Sequence, residues 1–287
     1  MKPFELSTFP KSDQEKWLEI AKKQLKGDDP LQKFAWNTCG LTNLKPYYDT
    51  YDTKDLDYLI NFFQTIPSHR WRFYEKIQVT NEMEANKQAL AALGGGCDGV
   101  ILELEDDFNQ DILFKGIDLS LYDVSLSGLN GVIKATGEVD PTNCVYQDAS
   151  VTVPFDQVRS LLEAIDMSIE CVHRKAFSDF FLEIAAVRAL RFMLNTEKRR
   201  NDIRIHTSIP PHKLAENQWF LNTTSGLASI LGGSYSIDMP TATGHHRITR
   251  NIGNLIREES GIEVYKDPCG GSYLIESLTH QIIQHIK

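Results

Sequence analysis

From Trp71 onward the chain alternates between two textures. Short runs rich in β-branched and aromatic residues give way to longer stretches in which apolar residues return at helical spacing, an order that predicts parallel strands joined by helices. The strand candidates are residues 72–77, 99–104, 123–127, 143–146, 167–172, 203–207 and 234–239, with 272–275 as a weaker eighth. Between them, residues 81–93 follow Thr80 and place Glu82 and Glu84 in a first turn, where negative charge suits the helix dipole. Gly94-Gly95-Gly96 would end that helix. Pro154 can occupy the first turn of a helix through Ile165, and residues 180–194 carry Phe181, Ile184, Leu190 and Met193 together with Arg188 and Arg191. Such stripes predict packing faces. The alternation fits an α/β fold of (β/α)8 TIM-barrel type and, on periodicity alone, an open doubly wound sheet equally well.

The first part of the chain has a different pattern. Ser12-Asp13-Gln14-Glu15 has the form of a capping box and opens a predicted helix over residues 13–25, with Trp17, Ile20, Ala21 and Leu25 on one face and Gly27 as its stop. Residues 28–52 are broken three times by Pro or Gly, yet hold Phe34, Trp36, Tyr47, Tyr48 and Tyr51, too many aromatics for a free linker. The expected organisation is an N-terminal helical and extended arm over residues 1–66, used for subunit packing, and a barrel over 67–287.

Composition narrows the function classes. With 41% hydrophobic and 24% charged residues the chain can bury a sizeable core, and its formal charge of −9 offers no attraction to nucleic acid or anionic lipid. The N-terminus lacks the apolar core of a signal peptide and no apolar run approaches a membrane span, so a cytoplasmic protein is expected. Cys39, Cys97, Cys144, Cys171 and Cys269 are odd in number and without CxxC spacing, which predicts reduced, mostly buried thiols and no metal site.

Local chemistry is sparse. Gly94-Gly95-Gly96 and Gly232-Gly233 read as helix ends rather than phosphate loops, and His245-His246 as a polar turn. Glu103, Glu105, Asp106 and Asp107 close a strand and read as a solvated acidic loop. Arg204 and His206 stand two apart on a predicted strand and so share a face near the barrel mouth. For His206 the favoured reading is an interior histidine hydrogen-bonded to a carboxylate from another strand.

Several stretches together resemble the methylmalonyl-CoA mutase family. Ile248-Thr249-Arg250-Asn251, Glu258-Glu259-Ser260-Gly261 and Asp267-Pro268-Cys269-Gly270-Gly271-Ser272-Tyr273 follow the RN, ESG and DPWGGSY of its catalytic chains in order and close to their spacing. The Arg70-Trp71-Arg72 run, residues 180–185 with Arg188 and Arg191, and Gly232-Gly233-Ser234-Tyr235-Ser236 match as well. The early chain, with Trp17, Lys26-Gly27, Leu31, Trp36, Thr38, Gly40 and Pro46, is similar to the small subunit in particular. The family reaction interconverts (R)-methylmalonyl-CoA and succinyl-CoA by radical chemistry with adenosylcobalamin.

The resemblance implies a chain without that chemistry. A C-terminal cobalamin-binding domain and its DxHxxG signature are absent from the sequence, and Cys144-Val145, ahead of Tyr146-Gln147-Asp148-Ala149, stand where the catalytic Tyr-His pair belongs. The TSGWS segment becomes Ile209-Pro210-Pro211-His212-Lys213, and the segment over 128–141 is far shorter than its counterpart. Tyr74, Arg204 and His206 are then remnant positions, with no catalytic, cofactor-binding or metal-binding residue expected in this chain. The implied role is a pseudo-enzyme subunit, inactive alone, that forms a heterodimer with a cobalamin-binding large subunit and is able to self-associate when that partner is missing. The alternative is a cobalamin-independent barrel that binds or acts on an acyl-CoA through Tyr74, Arg204 and His206. Family small subunits continue past the position of Lys287, so residues 278–287 read as a helix cut short.

Overall fold

The computed structural model describes residues 13–66, 70–105, 107–128, 144–146, 151–211, 218–241 and 245–287. Seven strands form one parallel sheet: β1 (Arg72–Val79), β2 (Gly99–Leu104), β3 (Asp123–Gly128), β4 (Cys144–Tyr146), β5 (Cys171–Lys175), β6 (Arg204–Ser208) and β7 (Ser236–Asp238). Their order is β3-β2-β1-β7-β6-β5-β4. Sequential strands are neighbours, except for β3 and β4 at the two edges, and the first pairs with the last, Arg72 opposite Ser236. This is the cyclic order of a curled, TIM-like sheet and not that of a doubly wound one.

The expected closed barrel of eight strands is corrected to a seven-stranded curl that, among the described residues, stays open between β3 and β4. Residues 272–275 supply no strand, because they begin a helix: Gly271 turns the chain at φ +80°, Ser272 takes the N-cap position, and buried Ile275, Leu278, Ile282 and Ile283 recur at helical spacing. The strand expected at 167–172 lies later, at Cys171–Lys175. Asp166 accepts from the Ser168 amide at 2.7 Å in a turn that leaves Met167 exposed.

The longer helices among the described residues are α1 (Gln14–Gln24), α2 (Asp57–Thr65), α3 (Glu82–Gly94), α4 (Pro154–Ala164), α5 (Phe180–Thr196), α6 (Gln218–Gly232), α7 (His246–Ser260) and α8 (Tyr273–Ile286). Asp13 caps α1 by accepting from the Lys16 amide at 2.9 Å, and Asn81, not Thr80, caps α3. The expected cap Ser12 lies outside the described residues, as do Asp106, Gln147-Asp148-Ala149, residues 129–141, His212-Lys213 and Gly244. Gly95 and Gly233 do terminate helices. His245-His246 form no loop: His246 opens α7 and binds Glu75 at 2.8 Å. No helix among the described residues is long and apolar enough to cross a membrane.

Strand alternation divides the sheet into two chemically different faces. Phe73, Ile77, Val100, Leu102, Val124 and Ile237 point outward and pack beneath α3 and α7. On the other half, Val172 and Ile205 pack beneath α4, α5 and α8. The stretch after α1 joins this second core: a hairpin of Trp36–Thr38 and Leu41–Leu44 contributes Leu41 and Leu44, and α2 contributes Leu59 and Phe63. Trp17 on α1 stacks on Tyr47 at 5.3 Å between ring centroids. Arg188 on α5 lies over the Phe63 ring, pairs with Asp267 and binds Glu276 at 2.8 Å, so the Asp267–Tyr273 segment ties α5, α8 and the early chain together.

Candidate functional site

The inner face carries Arg72, Tyr74 and Lys76 on β1, Glu103 on β2, Asp123, Ser125 and Ser127 on β3, and Cys144 and Tyr146 on β4. It also carries Cys171 and His173 on β5, Arg204, His206 and Ser208 on β6, and Ser236 and Asp238 on β7. An ordinary small barrel is filled by branched apolar side chains. Here the interior is a hydrogen-bonded polar network around a cavity of about 350 Å³, bordered by Lys76, Glu103, Ser125, Ser127, Tyr146 and His173. That volume falls within the range of small-molecule sites.

Four rings cross the interior in a row. Tyr74 stacks on His206 at 5.6 Å, His206 meets His173 at 4.6 Å, and His173 stacks on Tyr146 at 4.5 Å. His206 is buried and held at both ring nitrogens, by Ser236 Oγ at 2.8 Å and Asp238 Oδ1 at 2.8 Å. The interior histidine paired with a carboxylate from another strand is therefore present. The Tyr74 hydroxyl donates to Asp123 at 2.6 Å, and Arg72 pairs with the same carboxylate. Arg204 is in this face as expected, with its guanidinium 5.1 Å from the centre of the Tyr235 ring. The structure thus brings Tyr74 and His206 together.

The charges are matched. Asp238 and then Glu103, at 3.4 Å, raise the pKa of Lys76 against the opposing effect of burial. Burial pushes Asp238 upward, but hydrogen bonds from His206 and Ser208 and the charge of Lys76 outweigh it and hold the carboxyl below its ordinary range. Tyr74 is raised by burial and by the neighbouring Asp123 charge. Burial lowers His173. Glu103 therefore belongs to the interior, which corrects its assignment to a solvated loop, whereas Glu105 is exposed and accepts from Gln78.

Cys144 and Cys171 are opposite each other in the β4–β5 register, and His173 shares their face two residues on. The two sulfurs and one ring nitrogen all lie within 4.8 Å of one another. The pKa of the Cys171 thiol is raised well above its ordinary value by its hydrogen bond with the free thiol of Cys144 and by burial. Val145 turns the other way, into the outer core. Sequence reasoning missed His173, Lys76 and Asp238. Placing the fifth strand at 167–172 hid His173, and the signal that could have found it is Cys171-x-His173, a same-face pair on any strand that includes both.

A family model described as methylmalonyl-CoA mutase matches residues 172–287. The chain is 34% identical over 128 residues to a probable mitochondrial methylmalonyl-CoA mutase of Caenorhabditis elegans, an alignment covering 37% of this chain and 17% of that one. It is 32% identical over 123 residues to the large subunit of 2-hydroxyisobutanoyl-CoA mutase of Aquincola tertiaricarbonis, covering 35% and 22%. It is 24% identical over 382 aligned positions to the methylmalonyl-CoA mutase small subunit of Porphyromonas gingivalis, covering 96% of this chain and 62% of that subunit. The matched region therefore spans less than a quarter of the first two relatives and under two thirds of the third.

Proposed function

We propose that this chain is a small-subunit-type component of the methylmalonyl-CoA mutase family, which assembles with a cobalamin-binding large subunit and does not itself carry out the isomerisation. The observation that carries this reading is at Cys144-Val145, the positions the resemblance assigns to the catalytic Tyr-His pair. Cys144 brings a thiol to the interior and Val145 packs outward, so these two positions offer no phenol or imidazole to a substrate. The match to a small subunit along 96% of this chain supports the choice of subunit type.

Both nitrogens of His206 are engaged, by Ser236 and Asp238, so we propose no role for this imidazole in holding the family's cofactor. We assign adenosylcobalamin to the partner.

The contact surface we assign to the partner is the exposed side of the arm, where Ile20 and Tyr51 are 58% and 74% accessible. Size-exclusion chromatography with light scattering, on this chain alone and with the source organism's cobalamin-binding chain, tests the reading. A one-to-one heterodimer that weakens at least tenfold on combining Ile20→Arg with Tyr51→Arg is expected. No complex at micromolar concentration would overturn it, and the sample without partner reports any homodimer. Deleting the arm is a poorer test, because Leu41, Leu44, Leu59 and Phe63 are part of this chain's own core.

One observation favours a second reading, a cobalamin-independent barrel that binds an acyl-CoA: the polar cavity beside Lys76. On that reading a CoA ester raises the melting temperature of the wild type and not of Lys76→Met.

A further inference from the structure

We propose that Cys144, Cys171 and His173 form a binding site for a single zinc-class divalent cation inside the sheet. Three observations converge. The ligand atoms come from two paired strands and one face, and already stand within 4.8 Å of one another. A tetrahedral zinc ion, with bonds of about 2.3 Å to sulfur and about 2.0–2.1 Å to nitrogen, spaces its ligands by roughly 3.5–3.8 Å, so rotation of side chains by about 1 Å closes the site without moving a strand. The backbone there is fixed by the sheet, and the His173 ring is held between Tyr146 and His206.

The donor set selects the ion. Two thiolates and an imidazole favour a borderline-soft metal over magnesium or calcium, and two thiolate charges neutralise a divalent cation, which removes the penalty of burying net charge. Three protein ligands leave a fourth position. Since His173 also borders the cavity beside Lys76 and Tyr146, that position suits a small ligand arriving from the cavity, such as water or a thiol.

The test uses the full chain, reduced, stripped with a chelator and titrated with Co2+ without oxygen. One equivalent should produce a near-ultraviolet thiolate-to-cobalt band and the visible bands of tetrahedral cobalt, both abolished by added Zn2+. Cys144→Ser and Cys171→Ser should each lose most of the near-ultraviolet band, while Cys39→Ser keeps it. Alkylation of the wild type followed by peptide mass mapping avoids reliance on the variants' folding: bound Zn2+ should slow the alkylation of Cys144, the more accessible thiol of the pair, and leave that of exposed Cys39 unchanged. No spectral change at millimolar Co2+, protection of other thiols, or a band that survives loss of both Cys144 and Cys171 would overturn the proposal.

Discussion

Charge is buried on both faces of the sheet, in opposite ways. On the outer face Arg174 donates to both oxygens of Glu183 at 2.5 and 2.8 Å, to Gln157 at 3.0 Å and to Thr207 at 3.2 Å. Glu183 also accepts from the Phe177 amide and the Ser229 hydroxyl, and both charged side chains are fully buried. On the inner face Lys76, Glu103 and Asp238 meet around a cavity, and Lys76 and Glu103 stay partly accessible. A closed network of satisfied partners locks one helix to one strand; an open one can exchange a protein partner for a ligand. The difference separates residues that hold the fold from residues free to carry function.

The sharpest way to break this distinction is Glu183→Ala, which strands the Arg174 charge in the core and should cost about 3–5 kcal/mol in urea unfolding. A loss below about 1 kcal/mol would mean that the outer cluster is no lock. Asp238→Asn should cost about 1.5–3 kcal/mol near neutral pH, because His206 and Ser208 lose a charged acceptor. Its pH dependence sharpens the assignment. The carboxyl of Asp238 is depressed in the fold, so its stabilisation is present above the unfolded value of about 3.9 and is lost as pH falls through the lower folded value. Acid unfolding followed by circular dichroism should therefore be shallower below about pH 4 in Asp238→Asn than in the wild type.

Gly253→Ala probes the tight outer packing without charge. The added carbon would sit 2.7 Å from the Phe73 ring, an overlap worth about 1–3 kcal/mol that the better helix propensity of alanine offsets by up to about 1 kcal/mol. A lowered melting temperature is expected. Ser125→Ala, on the cavity wall, should stay within about 0.5 kcal/mol of the wild type, and a larger loss would place Ser125 in the structural network instead.

Much of the outer layer could be read from the chain. The alternation of strands and helices, the glycine stops after α3 and α6 and the proline start of α4 all follow from local rules. The misplacements have local causes too. A turn headed by Asp166 was hidden among residues with strand-forming character, and the apolar positions around Ile275 were compatible with strand or helix until Leu278, Ile282 and Ile283 extended the period. At the site, same-face spacing within one strand linked Arg204 to His206. Nothing in the spacing could link His206 to Asp238, or Cys144 to Cys171.

The chain by itself determined most of its strands and helices, because period and caps act over a few neighbouring residues, and its motifs carry the resemblance to the mutase family. Only the tertiary structure decided that the sheet's interior is polar, that His206 is spoken for by Asp238, and that two cysteines and a histidine meet. Those contacts join residues roughly 30 positions apart through strand register, and register is set by the packing of the whole sheet against its helices rather than by any local pattern.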